Sequence, residues 1–472
     1  MNYFLGIDLG TSYFKAGVFD ENGNLLGLGR HFVEKNTNNG ITCELSVDVF
    51  WRTLRFCIDD AIEESGISSG EISAVSYSSQ ANSFLLLDKE NKPLTPIILW
   101  PDNRASALSV SLQSLISRDD FVTKTGLGIK PCGQSLIAKL DWFQKNQPQT
   151  WEKVCKIMSI SDYLIFSLTG RFVSDTSTSL MTGLLNIQES KWWQDATNLF
   201  NIDTNRLPVP LKPGMFVGHV TGKGSEISGL SSDTILFTGG LDHHMVAIGA
   251  GGVYSNTICE STGTVLACVN YANGYQPREG VNIAQGADNS HYFEMAFNDN
   301  GALGLEWYQQ KYAVHSTIPE LLNLAEKIEP GCDGLIARPN VYDFPGLEGF
   351  LNRTNEHHDA HFIRAILEST ALSLSELVKT LDSEQMSEAV VPSGGGAKGR
   401  LWLQIKANLL NKPFKVPESV ELACKGAAML CAVGTSCFAG LEAATEKQVK
   451  FKEIIVPEPL ESEKYKKWCN SI

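Results

Sequence analysis

Leu5-Gly6-Ile7-Asp8-Leu9-Gly10-Thr11-Ser12-Tyr13-Phe14-Lys15-Ala16-Gly17-Val18-Phe19-Asp20 sets an acid, a glycine and two hydroxyls between two apolar runs. The alternation reads as two hairpin strands joined by a Gly-Thr-Ser turn. Such a turn suits phosphate. Gly10 lets bare backbone approach an oxyanion, Thr11, Ser12 and Lys15 supply donors, and Asp8 can hold magnesium through water. Taken alone, a Gly-Thr turn between apolar strands is an ordinary hairpin, so the reading depends on partners elsewhere in the chain.

The chain around this hairpin has 472 residues, 43% hydrophobic and 19% charged, which is enough for two cored domains and excludes disorder. A formal charge of -14 disfavours nucleic acid and anionic membrane as partners and points to small molecules. Eleven cysteines without paired C-x-x-C spacing, and no leader segment, lead us to expect a reducing cytoplasm. No apolar run reaches membrane-spanning length. Ala423 to Leu441 is interrupted by Lys425 and glycines, and residues 423–439 read as a buried helix rich in small residues.

After the hairpin, Leu25 to Phe32 continues an antiparallel start. Ser46 or Asp48 caps a helix carrying Phe50, Leu54, Ile58, Ala61 and Ile62, which Gly66 stops before a strand at 72–78. Further strands are expected at 84–87 and 96–100, and helices at 104–116 and 134–145. Pro208, Pro210 and Pro213 make 207–214 a rigid connector before a strand at 234–238. The domain join is expected shortly after, dividing the chain into 1–249 and 250–472. In the second part, 257–269 is an apolar run broken by Ser261-Thr262-Gly263-Thr264, with helices near 362–381, 401–410 and 423–439. Each half thus carries a Gly-Thr turn between apolar strands, a weak internal symmetry that suits two related α/β domains facing a cleft.

The second turn offers backbone donors and the Thr262 and Thr264 hydroxyls; beside the first, it favours a phosphate reading over a structural one. Strand 389–391 leads into Ser393-Gly394-Gly395-Gly396-Ala397-Lys398-Gly399 and a helix, where side-chain-free backbone admits a base or ribose. The same segment spells G-x-G-x-x-G, with Glu418 or Glu421 as a ribose acid, so a dinucleotide enzyme is an alternative, although it leaves both Gly-Thr turns unexplained. No G-x-x-x-x-G-K-[ST] loop is present.

Asp242 follows strand 234–238 and Gly239-Gly240 and precedes an apolar small-residue segment. It is either a helix N-cap or a general base that accepts a proton from an attacking hydroxyl, and the two turns favour the base. His243 and His244 point apart on a helix, and 356–361 reads as a solvated helix entrance, so no zinc site is expected. For a polyhydroxylated substrate, Gln80 and Asn82 offer amides, Asp102 and Arg104 charges, and Trp100 an indole for a sugar face; loop packing and helix capping are the alternatives. Asp162-Tyr163 and Ser174-Asp175 are further candidates.

In order along nearly the whole chain, these segments resemble the FGGY carbohydrate kinase family, whose members share the actin-like ATPase (ribonuclease H-like) fold. Leu5 to Ser12 with Lys15 is similar to its first phosphate segment, Trp100-x-Asp102-x-Arg104 to its sugar side, and Asp162-Tyr163-Leu164 with Leu168-Thr169-Gly170 to an interior motif. Gly239 to His244 with Gly249-Ala250-Gly251 resembles the catalytic-base segment and Ser261 to Thr264 the second phosphate turn. Gly394 to Ala397 with Trp402, Gln404 and Asn408 resembles the adenosine region, and Glu421, Gly426, Ala427 and Ala428 the closing helix. The resemblance implies two actin-like domains with mixed sheets around an interdomain cleft. It also implies ATP-dependent γ-phosphoryl transfer to a sugar or polyol hydroxyl, with Asp242 as base, magnesium near Asp8 and a homodimer as the candidate assembly. A nucleotide-binding sensor that has lost transfer is the alternative. Xylulose-type kinases show Met-His-Gly after the glutamine matching Gln80 and glycerol-type kinases Arg-Glu; Ala81-Asn82-Ser83 here matches neither, and His243 after the base is a further departure that brings it to the substrate.

Overall fold

A computed structural model describes residues 2–253, 256–288 and 290–469, and the chain falls into two compact units. The first comprises 1–251, 271–294 and 421–449; the second comprises 252–270, 295–420 and 450–472.

In the first unit, strand Tyr3–Leu9 pairs antiparallel with Tyr13–Asp20, which pairs with Leu25–Phe32, as the opening alternation predicts. On its other edge Tyr3–Leu9 runs parallel to Ile72–Ser79, which runs parallel to Ile235–Phe237, and antiparallel Phe216–His219 closes that side. Helix Val47–Ser65 starts where Ser46 accepts from the Val49 N–H and ends at Gly66 in the left-handed region (φ 70°). It packs directly on strand Leu25–Phe32: a Cβ at Gly29 would stand 1.9 Å from the Cys57 carbonyl oxygen. Leu5, Ile7, Phe14, Phe50, Leu54 and Ile58 form the core between them.

On the opposite face lies helix Leu422–Gly434, far along the chain. Gly6 meets the Cys424 carbonyl, Gly426 meets that of Met245, and Gly249 meets that of Leu422, so only glycine permits these backbone approaches. The small-residue composition near 423–439 therefore serves close packing against helix Asp242–Gly249 and the first strand. The helix stops at Gly434, short of the expected Ala439, and Ser436 adopts φ 63°.

The second unit repeats the strand pattern. Thr257–Thr262 pairs antiparallel with Leu266–Asn273 and parallel with Ala389–Ser393, which runs parallel to Phe414–Pro417, and antiparallel Phe451–Ile455 follows. Hairpin, parallel, parallel, antiparallel is the order in both units, so the paired Gly-Thr turns mark a real internal duplication.

Four local expectations are corrected. Residues 104–109 are not helical: Arg104 is tied to Asp102, and helix Val110–Ile116 begins where Ser109 accepts from the Leu112 N–H. The proline connector contains strand Val209–Leu211, parallel to Val173–Asp175. Only Ile97–Ile98 of 96–100 is strand. Ser261 and Thr262 belong to strand Thr257–Thr262, so the second turn is confined to Gly263, Thr264 and Val265.

Candidate active site

In the first unit the carboxyl ends of parallel strands converge, the usual place for ligands in such sheets. Asp8 stands opposite Ser78, and Ser78 on its other side stands opposite Gly240 of the short strand Gly240–Leu241. Asp242 is the next residue after that strand and the first of helix Asp242–Gly249. It is therefore not an N-cap. Its Oδ1 accepts from the His243 N–H at 2.8 Å, its one bonding partner among the described residues. Gly239 permits this path, because a Cβ there would lie 1.7 Å from the Tyr77 carbonyl oxygen.

Asp8 is buried, with Oδ1 accepting from the Ser78 hydroxyl at 2.9 Å. Burial pushes its pKa up; Lys15 and Ser78 pull it back, but the nearby Asp242 charge adds to burial, leaving it above the ordinary carboxylate value. Lys15 Nζ lies 3.6 Å from Asp8 and 2.7 Å from Glu421. Burial opposes the Lys15 charge, yet Asp8 and Glu421 outweigh it and raise its pKa. Two carboxylates share this lysine and the Asp242 charge bears on Asp8, a negative excess that suits a divalent cation. Among the described residues no three acidic, His or Cys side chains are grouped tightly enough to hold a bare ion. The donors therefore fit magnesium held through water and phosphate oxygens rather than a dedicated cage.

Gly10 answers first to its own turn: a Cβ would meet the Tyr13 carbonyl oxygen at 2.7 Å. Thr11 is half-buried and Ser12 exposed. The sugar-side candidates cluster around this turn. Gln80 Nε2 donates to the Leu9 and Gly10 carbonyls, both at 3.2 Å, and its Oε1 accepts from Ser83. Asn82, at φ 60°, uses Oδ1 to accept from the Leu136 N–H and so holds the start of helix Leu136–Asn146. Trp100 donates its indole N–H to Thr11 Oγ1 at 2.7 Å. Asp102 is fully buried, accepting from the Cys43 N–H and from Arg104, whose guanidinium also meets Glu44. Burial would raise Asp102, but these donors outweigh it and hold its carboxyl below the usual range. Lys139 on helix Leu136–Asn146 is buried and donates to the Leu99 and Trp100 carbonyls at 2.8 and 3.0 Å; burial pulls its pKa to about 7. Both cations of this region are thus spent on the protein itself.

The adjacent histidines have different fates. His244 is buried and stacks on Phe293 with centroids 4.5 Å apart. The Ser177 hydroxyl accepts from the Leu241 N–H at 2.9 Å and is hydrogen-bonded to His244 Nδ1 at 2.8 Å. Burial holds this imidazole neutral, with its pKa near 3. His243 is half-buried and beside Asp242 in sequence, with no side-chain partner among the described residues. Asp162 and Asp175 lie in the interior: the Tyr77 hydroxyl donates to Asp175, and one Asp162 oxygen is buried with no hydrogen-bond partner among the described residues.

In the second unit, Thr262 is buried under the turn. Its hydroxyl donates to Glu260 Oε2 at 2.7 Å and accepts from Lys406 Nζ at 2.7 Å, so it has no proton left for a ligand. Thr264 is exposed, whereas the Gly263 N–H donates to the Val265 carbonyl at 3.2 Å and the Gly263 carbonyl accepts from the Ala302 N–H at 2.7 Å. The glycine loop stacks on this turn: a Cβ at Gly396 would meet Thr262 Cβ at 2.6 Å, and Gly394 takes φ 75°. Gly395, Gly396, Lys398, Gly399 and Trp402 line a cavity of about 560 Å³ together with Leu322 and Glu326. The buried Trp402 indole N–H has no hydrogen-bond partner among the described residues. Ala397 lies inside the short Gly395–Lys398 turn. Asn408 stands elsewhere: its Oδ1 accepts from Gln404 and from the Glu458 N–H, pinning the 456–458 segment. Lys406 and Ser177 had no readable signal, because their partners are remote in sequence or belong to the backbone, whereas Glu260 and Ser83 stand two and three residues from the Thr262 and Gln80 side chains they bond.

The sequence profile of the FGGY family of carbohydrate kinases, N-terminal domain, matches residues 3–249, and that of the C-terminal domain matches 332–435. A xylulose kinase of Staphylococcus epidermidis is 27% identical over 464 residues, spanning 96% of this chain and 92% of that protein. A xylulose kinase and a gluconate kinase, both from Lactobacillus acidophilus, each superpose with a TM-score of 0.89 at 24% identity. Each covers all of this chain, which spans 97% and 96% of theirs respectively.

Proposed function

Because the chain belongs to the FGGY family of carbohydrate kinases and is thus a phosphotransferase with an alcohol acceptor, we propose that it moves the γ-phosphoryl group of ATP to a hydroxyl of a neutral ketose or polyol. In this reading Asp242 is the general base. A half-buried carboxylate at the carboxyl ends of parallel strands, bonded only to a neighbouring N–H among the described residues, keeps an oxygen ready for the proton of an attacking hydroxyl. That is the observation carrying the proposal. The carboxylate gains a proton as the new O–P bond forms and the O–P bond to ADP breaks, so charge balances without a further reactant.

Asp8 would hold magnesium through water, with Lys15 limiting the local negative charge; the ion supplies charge neutralisation to the phosphates. Gly10, Thr11 and Ser12 are assigned to phosphate, as are Gly263 and Thr264. The cavity beside Gly395, Gly396 and Trp402 is assigned to adenosine, its unpartnered indole N–H being a donor for the base. A neutral substrate is supported by Arg104, whose charge is paired with Asp102 and Glu44, and by Lys139, whose donors are taken by backbone carbonyls. Relatives carry both xylulose and gluconate names, and an aldonate would require a free cation to meet its carboxylate. His243, which follows the base and has no side-chain hydrogen-bond partner among the described residues, is assigned to a substrate hydroxyl. We further propose family-type domains at 1–249 and 250–472, and a cytoplasmic setting, in keeping with eleven cysteines that lack paired C-x-x-C spacing.

ADP release measured over ketoses, polyols, aldoses and aldonates tests the reading. Release driven by a ketose or polyol supports it, and a preference for aldonates contradicts the neutral class. ATP binding with no release for any acceptor would favour a sensor.

A further inference from the structure

Trp100 occupies a position where an indole face for a sugar is the natural expectation, yet its N–H is committed in the other direction, to Thr11 Oγ1 at 2.7 Å. A hydroxyl carries one proton and two lone pairs. The indole can only donate, so it takes a lone pair of Thr11 and leaves the Thr11 proton unclaimed, since no acceptor meets it among the described residues. Donor direction at this turn is thereby decided from outside the turn.

What aims the indole is a closed circuit of hydrogen bonds. The Trp100 backbone N–H donates to Ser83 Oγ at 2.9 Å, Ser83 donates to Gln80 Oε1 at 2.8 Å, and Gln80 Nε2 donates to the Leu9 and Gly10 carbonyls at 3.2 Å. Trp100 returns the path to Thr11, one residue beyond Gly10. Ser83 is fully buried and Gln80 nearly so, and neither has a free polar atom left to offer a ligand. Lys139 fixes the Trp100 carbonyl from the other side at 3.0 Å.

We propose that Trp100 is a positioning residue for phosphoryl transfer, orienting the Thr11 hydroxyl as a donor to phosphate, with Ser83 and Gln80 holding the indole in register with the turn. The inference rests on the assignment of Gly10 to Ser12 to phosphate. Segment 80–100 then does more than bind the acceptor: it sets the donor geometry of the phosphate turn.

A double-mutant cycle with Trp100→Phe and Thr11→Val tests this. Trp100→Phe keeps an apolar ring and removes the N–H; it is expected to lower kcat about tenfold, the worth of one well-placed hydrogen bond, with the KM for the sugar within about twofold. In the Thr11→Val background the same change should have no further effect on kcat. Thr11→Ser, which retains the hydroxyl, should restore most turnover when Trp100 is intact, and Ser83→Ala should reproduce the Trp100→Phe loss in weaker form. A raised sugar KM with unchanged kcat, or losses that multiply independently in the cycle, overturns the proposal while leaving the phosphate assignment standing. If Thr11→Val alone alters neither kcat nor the KM for ATP, the phosphate assignment fails and this inference with it.

Discussion

Lys406 Nζ lies 2.8 Å from Glu260 Oε1, and both side chains are closed to solvent. The pair clamps the Thr262 hydroxyl from both sides, so a buried ion pair sits beneath the second Gly-Thr turn. Removing one partner strands the other charge in the interior. Lys406→Met is expected to destabilise the protein by about 3–5 kcal/mol, and adding Glu260→Leu to recover much of that loss. Chemical denaturation of the two variants checks this, and a double variant no more stable than the single one contradicts it.

Gly239 lets the strand before Asp242 lie on the Tyr77 carbonyl. Gly239→Ala would force backbone apart, so we expect a loss of about 1–3 kcal/mol in stability together with a fall in kcat of more than about tenfold as Asp242 shifts. Unfolding and steady-state assays on one preparation measure both.

Asp162 and Asp175 have pKa values raised by burial to about 6 and about 7. The native state therefore keeps protons that the unfolded chain has already lost above about pH 4. The stability these groups contribute is present at low pH and is lost as pH rises from about 4 to 7. Asp162→Asn retains an oxygen acceptor for the Ser159 N–H but cannot ionise. Its stability relative to the parent should climb across that window, by at most on the order of 3 kcal/mol; a pH-independent difference would contradict the assignment.

Asn408→Ala and Gly396→Ala should separate packing from nucleotide binding. The first removes the acceptor for Gln404 and the Glu458 N–H, costing about 1 kcal/mol of stability with an unchanged KM for ATP. The second drives a methyl into Thr262 beneath the turn and should raise the KM for ATP. Equal effects on KM would contradict the placement of Asn408 outside the adenosine cavity.

The fold was legible where pattern and period agree. The opening hairpin, the helix capped by Ser46 and stopped by Gly66, and the glycine loop after strand Ala389–Ser393 are each local, and all form as read. Segment 104–109 was misread because helical spacing cannot reveal that Arg104 is bound to Asp102 and Glu44. The roles of side chains were harder still. Thr262 reads as a ligand donor until Glu260 and Lys406 come to it from two residues before and 144 residues after. Gln80 and Asn82 read as sugar amides, yet each bonds backbone brought near by folding. Helix Leu422–Gly434 looks like a generic buried helix, and only the meeting of Gly6, Gly249 and Gly426 with opposing carbonyls explains its composition.

Turnover of Asp242→Asn, with the acceptor that gives the highest ADP release, tests the central claim most directly. The variant should bind ATP as the parent does and lose about 10²–10⁴ in kcat, the contribution of a positioned general base. Parental turnover in a folded, ATP-binding Asp242→Asn protein would remove this carboxylate from the chemistry.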